Sequence, residues 1–336
     1  MQRFAVLGVS HKFAPLEVRE RVAYSDRKLP AALRALIENG GCDEVVVLST
    51  CNRVEAFCFS DGGDPFEAML EVLAADHNLS AEFLKPYVYF HRGQKAIEHL
   101  MRVAGGLDSL VLGETQIVNQ LKRAYLMAQS ENTTGKAINT LFHRAFRVSK
   151  RLHTETSISS GQFSISSVAV HFMKRVFDDM SNKTALLIGA GDVGELTLTH
   201  LKEAGIGRIV VLSRTLERAR DLAERFEGDA VPFELLQDYL PSADIVISQT
   251  SAESTILDAK VFKKSQKKRG WKSVFALDLA VPRDISEDAG RVEGVYLYNV
   301  DDLESVIAER TESRSHELEK CAKIIADEAA SFLENF

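Results

Sequence analysis

Thr184-Ala185-Leu186-Leu187-Ile188-Gly189-Ala190-Gly191-Asp192-Val193-Gly194 decides how the second half of this chain folds. A short apolar strand runs straight into the pattern G-x-G-x-x-G. A helical segment follows from Glu195 to Ala204, then Gly205, then a second apolar strand from Arg208 to Leu212. Strand, glycine turn, helix and strand in that order make the βαβ unit of a Rossmann-type sheet. The glycines let the backbone approach a pyrophosphate, and the helix N-terminus offers it N–H donors and a positive dipole end. Gly189, Ala190, Gly191, Asp192, Val193 and Gly194 are therefore the candidate cofactor-binding residues, with a nicotinamide dinucleotide favoured over a flavin or another nucleotide.

Which nicotinamide cofactor is read at the end of the second strand. An NAD site places an acidic residue there for the ribose 2′-hydroxyl, whereas this chain has Ser213-Arg214-Thr215, with Arg218 beyond. Hydroxyls and guanidinium groups suit a 2′-phosphate, so Ser213, Arg214 and Thr215 point to NADP(H). Strands over 244–248 and 274–279 alternate with helices, as a doubly wound sheet requires. Gln249-Thr250-Ser251 and Ala280-Val281-Pro282-Arg283 follow them, at the carboxyl edge where cofactors lie. Upstream, the Ser- and Gly-rich stretch 157–167 marks a boundary before a helix over 165–179.

The N-terminal third turns on Ser49-Thr50-Cys51-Asn52-Arg53. It follows Val45-Val46-Val47-Leu48, a β-branched apolar run that reads as a buried strand. Cys51 then falls at or just past the strand's end. Hydroxyls, an amide and a guanidinium surround it, a setting that favours the thiolate that attacks carbonyls. If the extended chain continues, Arg53 shares a face with Cys51 and is placed to grip a carboxylate. The alternative is a buried structural cysteine.

Around this stretch the spacing predicts a strand over 4–9, helices opened by Pro15 and over 28–39, and a strand over 54–59. A helix over 65–75, a strand over 87–90 and a helix over 94–103 follow, which is the order of a ferredoxin-like α+β domain. His99 lies on the last of these helices, either as a general acid or base or as a satisfied packing residue. The run from Gly105 to Gln116 combines paired glycines with polar side chains before another helix, on which Gln116 and Gln120 share a face. Over 136–153, Arg144, Arg147 and Arg151 make a cationic stripe that is either a solvated face or a contact for phosphates.

The chain has 336 residues, 45% of them hydrophobic and 26% charged, as an ordinary globular protein of two or more domains does. No apolar run is long enough to cross a bilayer and no signal peptide is expected, so no membrane role and a cytoplasmic setting are read. Four cysteines without metal-ligand spacing fit a reducing compartment and give no metal site. A net charge of −7 argues against indiscriminate coating of nucleic acid but leaves room for a local basic patch. From Val300 the chain reads as one long helix, with an apolar stripe from Leu318 to Phe336 that packs on the body or meets another subunit. The domains expected are 1–156, 157–300 and a helix over 301–336.

Five ordered segments then resemble the signatures of the glutamyl-tRNA reductase family: 8–12 with Ala14-Pro15, 49–53, 106–116, 189–194, and Asp278 to Ile285. The resemblance implies a ferredoxin-like catalytic domain, an NADP(H) domain and a connecting helix. It implies that Cys51 attacks the ester of glutamyl-tRNA(Glu), and that NADPH reduces the resulting thioester to glutamate-1-semialdehyde, a tetrapyrrole precursor. By position Thr50, Asn52, Arg53, Ser109, Glu114, Thr115, Gln116 and Gln120 surround the glutamyl moiety. Arg53 anchors its carboxylate, and His99 serves proton transfer or ester polarisation. Implied partners are glutamyl-tRNA(Glu), glutamate-1-semialdehyde aminomutase and a second copy of the chain. Phe13 stands where the family has threonine, Asn119 where it has glycine, and 249–253 lacks the usual Gly and Pro. The family also continues into a helical dimerisation domain past the point where this sequence stops. The rival readings are a shikimate dehydrogenase-like oxidoreductase and a non-catalytic tRNA- or nucleotide-binding regulator.

Overall fold

The computed structural model describes residues 3–109, 112–113, 116–158, 165–303 and 315–336. The chain divides into two compact units, Met1–Gln162 with Thr311–Phe336, and Phe163–Arg310. This division differs from the boundaries expected from sequence chiefly at the C-terminal helix, which belongs with the first unit.

The first unit begins with β1 (Phe4–Ser10), α1 (Leu16–Val22), α2 (Leu29–Asn39), β2 (Glu44–Ser49) and β3 (Arg53–Phe59). It continues with α3 (Phe66–Asp76), α4 (Ala81–Leu84), β4 (Val88–Arg92), α5 (Gln94–Ala104), α6 (Gln116–Ser130) and α7 (Lys136–Glu155). The strands form an antiparallel sheet in the order β2-β3-β1-β4, the ferredoxin-like arrangement. Every residue of β1 and the four central residues of β2 are buried, which is why these strands are apolar runs rather than alternating patterns. One long-range cap ties α7 to the sheet: Glu44 at the start of β2 accepts the N–H groups of Ala137 and Ile138, at 3.1 and 2.7 Å.

The second unit contains α8 (Ile165–Val176), β5 (Thr184–Ile188), α9 (Asp192–Glu203), β6 (Arg208–Ser213), α10 (Leu216–Arg225) and β7 (Asp229–Pro232). After these come α11 (Leu236–Tyr239), β8 (Ile245–Ser248), α12 (Ala259–Arg269), β9 (Val274–Asp278) and β10 (Val295–Asn299). All six strands are parallel, in the order β10-β9-β8-β5-β6-β7. The direction of winding reverses between β5 and β8, the switch point at which doubly wound sheets take their ligands.

The last helix, α13 (Ser315–Asn335), returns to the first unit. Cys321, Ile325, Ala329 and Phe332 are buried against it, and the Phe332 and Phe336 rings lie 5.6 and 5.1 Å from the ring of Phe4. Of the two readings of this stripe, packing on the body of its own chain is the one the fold takes. The same helix changes the reading of α7. Glu328 pairs with both Arg144 and Arg151, and Arg151 also pairs with Glu155, so two of the three stripe guanidiniums are neutralised. Among the described residues no helix is long and apolar enough to cross a membrane.

Candidate active site

β2 and β3 are joined by a tight hairpin whose tip is Cys51-Asn52. The last cross-strand partners are Ser49 and Val54, and the N–H of Thr50 donates to the carbonyl of Arg53 at 2.8 Å. The chain therefore turns at Cys51 instead of continuing extended, and Arg53 opens the returning strand. Thr50 closes the tip from inside, its hydroxyl accepting the N–H groups of Asn52 and Arg53, both at 3.2 Å. Two outside groups fasten it. The Arg19 guanidinium donates to the Cys51 carbonyl at 2.9 Å and to Asn52 Oδ1 at 3.3 Å, while the backbone N–H of His11 donates to the Asn52 carbonyl at 2.9 Å. Cys51 is half-buried, whereas Cys42, Cys58 and Cys321 are buried thiols. A hydrogen bond with Cys42 and burial push the Cys58 thiol up, and burial does the same to Cys321.

Beneath the hairpin lies a buried ionic cluster. Arg53 is only 2% exposed. Its Nη1 donates to Glu55 Oε1 at 2.8 Å and to Asp108 Oδ2 at 3.2 Å, and its Nη2 to the Asp108 carbonyl. His99 Nε2 meets the same Glu55 oxygen at 2.8 Å, the Tyr89 hydroxyl donates to it as well, and Lys12 pairs with Asp108. Burial alone would raise the Glu55 pKa, but Arg53 and His99 outweigh it and hold the group at about 2. Asp108 is likewise held low, burial being overcome by Arg53 and Lys12.

Gly8 makes this cluster possible. It lies in β1 between Glu55 on β3 and Tyr89 on β4. A Cβ at Gly8 would fall 2.4 Å from the Tyr89 ring, so only glycine lets the phenol reach Glu55.

Ser109 follows Asp108 and is half-buried, so the cluster brings it to the same region as Thr50, Cys51, Asn52, Arg53 and His99. Gln116 and Gln120 are half-buried at the start of α6, which packs on β2; Glu114 and Thr115 lie outside the described residues. Arg53 departs from the expected carboxylate anchor, since its guanidinium is buried and bonded to Glu55 and Asp108. Residues the sequence reading did not single out are Arg19, Glu55, Asp108 and His11. Burial and the nearby Arg53, Lys12 and Arg19 cations lower the His11 pKa to about 4, so its imidazole is neutral at neutral pH. His11 Nδ1, Ser10 Oγ and Glu55 Oε2 are buried with no hydrogen-bond partner among the described residues. Each such atom costs about 1–3 kcal/mol, which a polar ligand contacting it would recover.

The glycine turn of the second unit fits a dinucleotide pyrophosphate. Gly189 has φ +93°, and a Cβ there would lie 2.1 Å from the Gln249 carbonyl. A Cβ at Gly194 would strike Leu187 at 2.8 Å, so this glycine serves the packing of α9 on β5. Ala190 and Asp192 are half-buried beside them, and Val193 is buried. A Cβ at Gly191 would meet the Gln249 carboxamide at 2.5 Å. That carboxamide accepts the Gly194 N–H at 2.6 Å, capping one of the donors a phosphate would use. At the end of β6, Arg214 and Thr215 are exposed and Ser213 is half-buried, with its hydroxyl accepting the Thr215 N–H at 3.2 Å.

Comparison with known proteins gives a consistent set. The family model for "Glutamyl-tRNAGlu reductase, N-terminal domain" matches residues 7–156, and that for "Shikimate / quinate 5-dehydrogenase" matches residues 171–306. The glutamyl-tRNA reductase of Oleidesulfovibrio alaskensis is 43% identical over 98% of this chain and 73% of its own length. That of Alkalilimnicola ehrlichii is 42% identical over 99% and 74%. The solved structure of the glutamyl-tRNA reductase from Methanopyrus kandleri aligns with TM-score 0.52 at 32% identity, covering 100% of this chain and 80% of that one.

The cluster makes an expectation about Glu55. Glu55→Gln removes one partner of a buried ion pair and lowers unfolding free energy at neutral pH by about 3–5 kcal/mol. Because the Glu55 pKa is depressed from 4.5 to about 2, its contribution is complete above pH 4.5 and disappears as pH falls toward 2. The difference between wild type and variant in denaturant unfolding narrows over that window; equal stability at neutral pH would contradict this.

Proposed function

The chain belongs to the glutamyl-tRNA reductase family, and from that premise we propose that Cys51 is the nucleophile with which it reduces glutamyl-tRNA. Family membership makes it an oxidoreductase with a nicotinamide cofactor, acting on glutamyl-tRNA in the first step of tetrapyrrole synthesis. The observation that carries the assignment is the fastened hairpin tip, which holds the one half-buried cysteine of the chain beside a polar cluster.

The Cys51 thiolate attacks the carbonyl of the ester between glutamate and the terminal ribose. The ester C–O bond breaks, the tRNA hydroxyl leaves with a proton, and the glutamyl group remains on sulfur as a thioester. Arg19 fixes the carbonyl of Cys51 and so holds the hairpin tip that presents the sulfur. Glu55, ionised and therefore acceptor only, takes a hydrogen from His99 Nε2. His99 Nδ1 is left as the nitrogen that takes the proton of the Cys51 thiol and returns it to the leaving ribose oxygen. We assign Thr50, Asn52, Ser109, Glu114, Thr115, Gln116 and Gln120 to the glutamyl moiety. Arg53 takes a positioning role, tying the base of the hairpin to Asp108.

When bound, NADPH supplies the hydride that reduces the thioester to the aldehyde and frees the Cys51 sulfur. Residues 189–194 would hold its pyrophosphate. NADPH over NADH rests on Ser213, Arg214 and Thr215 and on the lack of an acidic side chain at the end of β6. The catalytic part is 1–156 and the cofactor part 157–300. A reactive aldehyde product favours direct collection by an aminomutase, and a charged-tRNA substrate places the reaction in the cytoplasm. A homodimer would use a surface other than the 318–336 stripe, which is buried in its own unit.

NADPH is consumed with glutamyl-tRNA(Glu) and not with free glutamate. Cys51→Ser lowers turnover by at least roughly 10³-fold with NADPH affinity unchanged. Turnover retained in that variant would sink the nucleophile assignment and mean that glutamyl-tRNA is reduced without a thioester on Cys51. At the cofactor turn, Gln249→Ala removes the cap on Gly194 and tightens NADPH binding about fivefold in a fluorescence titration. Weaker binding would mean that Gln249 holds the cofactor instead of competing with it.

A further inference from the structure

We infer that the outer face of α12 is a docking surface for the phosphate backbone of the tRNA. This rests on the reading of glutamyl-tRNA as substrate and adds where the chain grips it. Between Asp258 and Asp278 there is no acidic residue, while Lys260, Lys263, Lys264, Lys267, Lys268, Arg269 and Lys272 are all present. That segment carries +7 in a chain of net charge −7, so the remainder carries −14.

At 100° per residue, the five lysines of α12 fall within an arc of roughly 140°. All five are exposed, as is Lys272 just beyond the helix. The opposite side is anchored. Phe262 is 1% exposed, and the Arg269 guanidinium is bonded to the Pro241 and Ser273 carbonyls and to Asp244. Among the described residues none of the six lysines makes an ion pair; the one polar contact is a 3.4 Å approach of Lys264 to Gln237.

A merely solvated helix face interleaves glutamate with lysine at i, i+4, and this one does not. Lys260 with Lys263 and Lys264, and Lys263 with Lys267, are like-charged neighbours that weaken an isolated helix. Lys267 and Lys268 gain from the negative end of the dipole, but Lys260 sits in the first turn, where that dipole opposes it. A polyanion laid along the face relieves the repulsion. Beside the stripe, Trp271 is 41% exposed at φ +60°, after the left-handed Gly270, offering an aromatic face for a base. RNA is favoured over an anionic membrane because the apolar side of α12 is already buried. The cationic stripe on α7, by contrast, is largely occupied by Glu328 and Glu155.

The test uses the full chain with Lys263, Lys264 and Lys267 changed together to Glu, and separately to Gln, in a Cys51→Ser background. Binding of tRNA(Glu) is measured by fluorescence anisotropy across a salt series. Expected is a fall in the slope of log K against log salt by about 2–3, and an affinity loss of about tenfold or more. NADPH affinity and, in the Cys51 parent carrying the same changes, the rate of Cys51 alkylation by iodoacetamide stay as in wild type. Unchanged slope and affinity in both variants would overturn the inference, as would lysine-dependent binding to phosphatidylserine vesicles in place of tRNA. The binding readout does not depend on turnover. A chain that holds tRNA through these lysines yet fails to reduce it would support the surface and sink the catalytic reading.

Discussion

A guanidinium removed from water must find its partners inside the protein, and in this chain that constraint organises the catalytic unit. Arg53 opens β3 and is closed over by Glu55, two residues along the same strand, and by Asp108, far away in sequence. Glu55 in turn gathers His99 from α5 and Tyr89 from β4. Three elements, β3, β4 and α5, and the turn at Asp108 are thus pinned to one charge. Such a cluster is not a strong source of stability in itself, since desolvation offsets much of its Coulomb gain. Its effect is specificity of arrangement, because no partner can move without leaving a buried charge exposed to an apolar surround. The hairpin that presents Cys51 stands on this base and is steadied from the side by Arg19 and His11.

The second unit was legible because its signal is local. Strand, glycines and helix are contiguous from Thr184 to Glu203, and each glycine has a nearby steric reason, Gly189 against Gln249 and Gly194 against Leu187. The apolar runs of β1 and β2 were equally plain, as both are buried throughout their centres. What could not be read was pairing over long separations. Nothing around Arg53 marks Asp108 as its partner, and Arg19 lies 32 residues from the carbonyl that it holds. The turn at Cys51-Asn52 was also hidden, because it is closed by the Thr50 hydroxyl without the glycine that usually announces a two-residue hairpin. Gly8 carried a signal, a glycine inside an apolar strand, whose meaning appears only with Tyr89 lying across it.

The C-terminal helix and the two basic helices show the same limit from the side of charge. The apolar stripe of α13 was visible, but not that Phe4 and α7 supply its cover. Three arginines on α7 and five lysines on α12 look alike in sequence. They differ in the fold, where Glu328 and Glu155 answer two of the first and, among the described residues, no carboxylate answers the second.

The central chemical claim is that one half-buried sulfur, held at a hairpin tip, accepts the glutamyl group before any hydride arrives. Incubating the chain with glutamyl-tRNA(Glu) in the absence of NADPH, quenching in acid and mapping peptides by mass spectrometry tests this directly. The expected result is a hydroxylamine-labile glutamyl adduct on the peptide containing Cys51, and on none containing Cys42, Cys58 or Cys321. An unmodified Cys51 alongside free tRNA and released glutamate, or the adduct on another residue, would contradict it.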